Sequence, residues 1–532
     1  MKKYLSLLLV AIVPTMLLAQ KTPSTSNPTK LHISKNQMYE DFDEFINIFK
    51  TYNAQWDIRA ELTGYNVIQE LENRKECISN IKNYWQFIDF MSDNLNFLID
   101  DHATMRLVYY NILHPRYAPG QSFYDSTGIK EIATGLDKYL VKRGKRKGPK
   151  DYFYGVSSKY INGQYYMAMY WRLINPLLKD TISLKNARII AYDHEPIDTY
   201  VRKSIGKSYP ENTRWDFHNN KYFTTNLWIQ LDKTLKVENE DGRIYEFIPD
   251  DYSIKLFQKS DDELRNNQSI YKNKELIYKK DHIVRYYPEQ QVLYIYLHQM
   301  SSPENYNLLD SLRKEAFNKT IEKIVVDVRD NIGGGDGYWY DLLSFLISDT
   351  ISFEHRVALN CNEHVSAFLF AEFPPEMTQQ FSIQEIPFLH NKKMFVREDV
   401  MTIEPDSLSL MYSGPIYILQ DEKTYSAAHS FASLAKQIPQ LISVGVSTGD
   451  MVGFGLNPWG FQLKHSKFTF QFEPAIDLSG ANRLEDTYQC IPEIEVIPTI
   501  KEISDYYDWR WKIPIEDFLF TKDYLFMKII QL

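Results

Sequence analysis

The chain has 532 residues, of which 44% are hydrophobic and 24% charged. That is room for two to four domains of about 100–200 residues each, in a composition that excludes wholesale disorder. The formal net charge of −9 excludes a global basic field for nucleic acid.

Lys2 and Lys3 precede an apolar run from Leu5 to Leu18, followed by Ala19 and Gln20. This predicts a signal peptide over residues 1–20, and hence export to the periplasm or the exterior. No cysteine follows the run to carry a lipid, and no later run approaches the ~18 apolar residues of a membrane span. No stable membrane insertion is expected after cleavage. Phe42, Phe45, Ile46 and Phe49, then Trp85, Ile88, Met91, Leu95 and Leu98, recur at helical spacing and predict a helical domain over 31–112. The basic run from Lys142 to Lys150 holds two glycines and a proline and reads as a solvated loop.

Residues 150–255 change to short alternating runs, with a helical stretch from Ile197 to Ser204 and a hairpin signal at Asp241-Gly242. Strand and helix patterns alternate over 285–500, which predicts an α/β core, and 501–532 is set apart as a C-terminal extension. Strands are expected at Val292–Leu297 and Ile442–Val446 and buried strands at Ile324–Val328 and Ile416–Leu419, with helices at Leu308–Phe317, Tyr338–Leu346 and Ser426–Lys436. Cys77, Cys361 and Cys490 form neither a zinc spacing nor a disulfide framework.

Two loops of the α/β region could carry chemistry. Asp327-Val328-Arg329-Asp330-Asn331-Ile332-Gly333-Gly334-Gly335 follows a buried strand, and its glycines let backbone amides face a ligand. Such amides hold a phosphate or an oxyanion, and the chain lacks both the dinucleotide glycine spacing and a following Lys-Ser/Thr. No cofactor and no metal are expected. Thr424-Tyr425-Ser426-Ala427-Ala428-His429 also joins a strand to a helix, so Ser426 is either a helix cap or a nucleophile at a helix N-terminus.

Together these loops resemble the tail-specific (carboxyl-terminal processing) serine protease family, including its tricorn-core-like branch. Asp327-x-Arg329-x-Asn331-x-Gly333-Gly334 is similar to the family's D-x-R-x-N-x-G-G signature, and Ser426-Ala427-Ala428 to its nucleophile turn. Gly445-Val446-Ser447-Thr448-Gly449 resembles the G-x-x-T-x-G segment, and Pro492-Glu493-Ile494-Glu495-Val496 the closing P-D-I-x-V strand with Glu for Asp. The segment from Ala187 to Val201 resembles part of a divergent PDZ domain. The resemblance implies a ClpP/crotonase-like α/β fold, a polypeptide substrate and acyl transfer through Ser426. It assigns the oxyanion donors to the amides of Ala427 and of Gly333 or Gly334.

The family's bacterial branch places a lysine base where this chain has Met451, so the base must lie elsewhere. The tricorn-like branch implies a histidine from the N-terminal region, here His102, with an acidic partner near the C-terminal motif, Glu485 or Asp486. His429 is the alternative, on the same helical face as Ser426, and Lys464 and Lys467 are weaker ones. The expectation is an exported serine-type endopeptidase. The alternatives are a catalytically inactive peptide- or ligand-binding protein on the same scaffold, or a non-peptide esterase.

Overall fold

The structure, a computed structural model, describes residues 32–105 apart from Asp101, 155–248 with short interruptions, 282–300, 305–372, 380–448, 458–488 and 491–532 apart from 511 and 512. The signal-peptide expectation, the basic run, Met451 and Cys490 lie outside the described residues. Cys77 and Cys361 are unbridged. Among the described residues, no helix is long and apolar enough to cross a membrane.

The centre is a six-stranded sheet. His282–Tyr287 pairs antiparallel with Val292–Leu297. Lys323–Asp327, Ile416–Gln420, Leu441–Gly445 and Ile494–Glu495 then add in parallel. The inner strands are nearly all apolar because both faces are covered, which removes the alternation of a half-exposed strand. On one face pack the helices Asn305–Ala316, Gly337–Leu346 and Ala427–Ser433, through Leu312, Trp339, Leu342 and Phe431. On the other lie Ile500–Trp509, Ile515–Thr521 and Tyr524–Gln531, through Tyr506, Phe518, Leu525 and Phe526. Residues 501–532 are therefore the second cover of the sheet, not an appendage to it.

The N-terminal helices, led by Lys35–Tyr52 and Tyr84–Leu95, do not form a core by themselves. Phe42, Phe45, Phe49 and Phe87 share a cluster with Trp459, Phe461, Phe470 and Phe472 of a hairpin from the α/β region. That hairpin, Trp459–Gln462 with Thr469–Phe472, takes the short strand Thr104–Met105 as its third member. A four-stranded sheet, built on Ile351–Asn360 against Lys392–Ile403, flanks the core.

The middle segment forms a separate sheet in the order 244–247, 235–238, 188–192, 164–167 and 158–161, with the helix Ile197–Ser204 packed on it. The expected hairpin is present, and Gly242 takes φ 79° at its turn. This segment is also tied to the rest of the molecule. Ile205, Trp215 and Tyr222 share a cluster with Ala358, Met394 and Tyr488.

Candidate active site

The glycine loop leaves the strand Lys323–Asp327 under tight control. Arg329 is fully buried and donates to Asp327 at 2.8 and 2.6 Å, and to Asp523 at 3.0 and 2.5 Å. Burial works against the Asp327 carboxylate, but the adjacent guanidinium wins and holds its pKa below the usual range. Asp327 also accepts from the Tyr294 hydroxyl at 2.7 Å. These residues anchor the loop to the C-terminal helices.

Asn331 performs three tasks. Its side-chain amide donates to Leu297 O at 2.9 Å, its Oδ1 accepts the Gly333 N–H at 2.8 Å, and its backbone oxygen accepts the Tyr425 N–H at 3.0 Å. The glycine loop and the serine turn are thereby stitched together. Gly333 takes φ 92°, and a Cβ there would lie 2.6 Å from Ser426 Cβ. Gly334 takes φ 148°, and a Cβ there would lie 1.8 Å from Met300 O. Both glycines are required by close approach as well as by backbone angle.

The same bonds separate the two candidate donors. Met300 N–H donates to Gly333 O at 2.9 Å and Gly335 N–H to Met300 O at 2.8 Å, so Gly334 sits between two used positions. The Gly333 N–H is committed to Asn331. Among the described residues the N–H groups of Gly334 and Ala427 have no acceptor.

Ser426 stands at the head of the helix Ala427–Ser433 with φ 52° and ψ −127°, and its side chain makes no capping bond. The cap reading therefore fails. Ser426 is half-buried, while Tyr425, Ala427 and Ala428 on either side are buried. A non-glycine residue in this backbone region is strained, and such strain collects at functional turns.

His102 arrives from the other end of the chain. Asp100 is buried and organises the approach, accepting the His102 N–H at 2.8 Å on one oxygen and the Glu473 N–H at 2.9 Å on the other. The His102 ring lies 5.2 Å from that of Tyr425, the neighbour of Ser426. Its Nδ1 is buried without a hydrogen bond and lies 3.9 Å from Glu473 Oε2. That is beyond hydrogen-bond length. The carboxylate beside His102 is thus Glu473, not Glu485 or Asp486. Asp486 is held by Arg483 at 3.0 Å and accepts the amides of Asn482 and Arg483. Glu485 lies with it in a short 3-10 turn.

His429 is turned elsewhere. It is buried, and its Nδ1 is 2.7 Å from Thr448 Oγ1 in the Gly445–Gly449 motif. Burial, aided by Lys436 and Arg214, lowers its pKa to about 3, so it stays neutral. Lys464 and Lys467 sit on the hairpin turn that faces the first helix, where Glu44 accepts the Lys464 amide. Sequence reasoning missed Glu473, and its one signal was a carboxylate directly after the apolar strand Thr469–Phe472.

Residues 291–501 match the model of peptidase family S41. Mature CPAF has 12% sequence identity and a TM-score of 0.50, with 90% of this chain and 96% of that chain covered. At that identity the likeness speaks to the fold. The photosystem II D1 C-terminal processing protease is 12% identical with a TM-score of 0.35, covering 87% of this chain and 94% of its own. An S41 protease from Bacteroides fragilis is 11% identical with a TM-score of 0.34, covering 80% of this chain and 97% of its own. Among curated proteins none matches the chain.

Proposed function

We propose, from the match of residues 291–501 to the model of peptidase family S41, that the chain is a serine endopeptidase working through an acyl-enzyme on Ser426. The observation that carries the reading is the strained turn at Ser426, set against a glycine loop that leaves the Gly334 and Ala427 amides without acceptors.

Ser426 Oγ attacks the peptide carbonyl and gives its proton to His102. With Nδ1 on the Glu473 side, Nε2 is the nitrogen left for the serine. Glu473 holds the ring and stabilises the imidazolium. The carbonyl oxygen, now an oxyanion, takes hydrogen bonds from Gly334 and Ala427. The proton then passes to the leaving amine, and water releases the acyl group by the reverse path. The leader-like residues 1–20 support export, so the substrates would be polypeptides outside the cytoplasm. In the middle segment the edge strand Ile244–Phe247 is largely exposed, which supports its use for strand addition by an extended peptide.

Labelling with a fluorophosphonate tests the reading. Covalent modification of Ser426, absent from Ser426→Ala, is expected. An unlabelled but folded protein would instead favour a binding protein on the same scaffold.

A further inference from the structure

A cavity of about 170 Å³ lies between the middle segment and the C-terminal helices. Six aromatic rings line it. Tyr160, Trp215 and Phe223 come from the middle segment, and Tyr507 and Tyr524 from the helices that cover the central sheet. A space of this size accommodates a ring with a short chain, since a cavity of about 150 Å³ takes a benzene.

Lys159 also lines the cavity, with only 9% of its surface exposed. Its Nζ lies 3.5 Å from the centroid of the Tyr507 ring. Among the described residues it makes no hydrogen bond and no ion pair. A buried ammonium in that state is costly, and one aromatic face offsets only part of the cost. Burial accordingly brings its pKa down to about 8, and Lys423 pushes the same way against Glu422, Asp330 and Asp421. Two of those three carboxylates are engaged elsewhere, while the third, Glu422, lines the cavity, as does Asp216, which accepts from Tyr160 and Asn219. Asp330 is taken by Lys423 and Arg510, and Asp421 accepts the amides of Asp330 and Lys423. The indole N–H of Trp215 is likewise buried with no acceptor among the described residues. The rim carries a His218–Glu495 pair at 2.7 Å.

Two donors lacking acceptors, set among aromatic faces, specify a ligand that brings an anionic acceptor and an apolar body. We propose that this cavity binds a small apolar monocarboxylate, its carboxylate paired with Lys159 and its hydrocarbon or aromatic part held between the rings. The site does not depend on the peptidase reading, because none of its residues belongs to the proposed catalytic set.

Calorimetry on the purified full chain tests it with 3-phenylpropionate and hexanoate, against 3-phenylpropionamide. The acids should bind one per chain and the amide at least about tenfold more weakly, a loss of ~1.4 kcal/mol or more. Lys159→Met should erase that preference. Between pH 8 and 9 binding of the acids should also draw a fraction of a proton onto Lys159, because a bound carboxylate favours the charged amine. Lys159→Met should take up none. Equal binding of acid and amide, no binding of either acid, undiminished acid binding by Lys159→Met, or binding only of a peptide with a free C-terminus would each overturn the proposal. The acid-against-amide comparison needs no variant, so it stands even if Lys159→Met does not fold.

Discussion

Ser426 is held where a serine is strained, at a cost of about 1–3 kcal/mol, and a glycine at the same position would not be. Ser426→Ala and Ser426→Gly should both lose turnover, but only the glycine variant should be more stable than the parent, by about 1 kcal/mol or more. Denaturant midpoints of the three proteins decide it. Equal midpoints for the two variants would remove the strain argument.

Gly334 allows a second residue-level test. A methyl group there collides with Met300 O and re-aims the amide, so Gly334→Ala should cost about 100–1000-fold in turnover. Full activity in a folded variant would move the oxyanion site elsewhere. His102→Ala should cost about 100–10,000-fold, the usual worth of a general base, whereas His429→Gln should leave most activity in place. Comparable losses from both would return His429 to the mechanism.

His429 also makes a stability prediction. Its folded pKa of about 3 is below the ordinary imidazole value, so the unfolded chain binds the extra proton first as pH falls. Its contribution is complete above about pH 6.5 and drains away toward pH 3, at up to about 1.4 kcal/mol per pH unit. His429→Gln should flatten that part of the acid-denaturation curve. An unchanged slope between pH 6 and 4 would show that the ring is not held neutral.

At the scale of elements, the two loops that carry the candidate site were legible because each is a local device. Consecutive glycines after a buried strand, and a serine flanked by small residues before a helix, declare their backbone needs in a few residues. Glu473 was not legible. It meets His102 only because aromatic residues of the N-terminal helices pack on the hairpin Trp459–Phe472, and because Asp100 bonds to both approaches. Proximity along the chain pointed instead to Glu485 and Asp486, which serve a local turn. The long antiparallel pair Ile351–Asn360 with Lys392–Ile403 was also unread, since it lies on one half-buried face and marks no motif. Asp100→Asn should therefore lower activity while leaving the central sheet intact, because it loosens the positioning of His102 and Glu473. Unaltered kinetics would show that the approach is held by packing alone.

For the whole molecule, the middle segment looks separable in sequence and is not separable in structure. Removing residues 150–255 would leave Ala358, Met394 and Tyr488 facing water where Ile205, Trp215 and Tyr222 now cover them. The deletion should aggregate or unfold, and a soluble, active deletion would contradict the shared cluster. The opposite end of the chain is equally committed. Asp523 neutralises the buried Arg329 and caps the last helix through the Phe526 N–H at 3.1 Å. Asp523→Ala should cost about 3–5 kcal/mol, as breaking a buried ion pair does, read as a lowered denaturant midpoint.

That tie between residues 329 and 523 has a consequence for biosynthesis. The loop that supplies the proposed oxyanion donor is anchored by a carboxylate made almost two hundred residues later, and His102 is made more than three hundred residues before the serine it would serve. A nascent chain held at any length short of Asp523 lacks the carboxylate that ties Arg329 to the last helix. Ribosome-bound chains ending before Asp523 should resist fluorophosphonate labelling, and chains extended past the last helix should accept it. On this view the proposed peptidase is switched on by completion of its own synthesis, and until then it is harmless to the machinery that makes it.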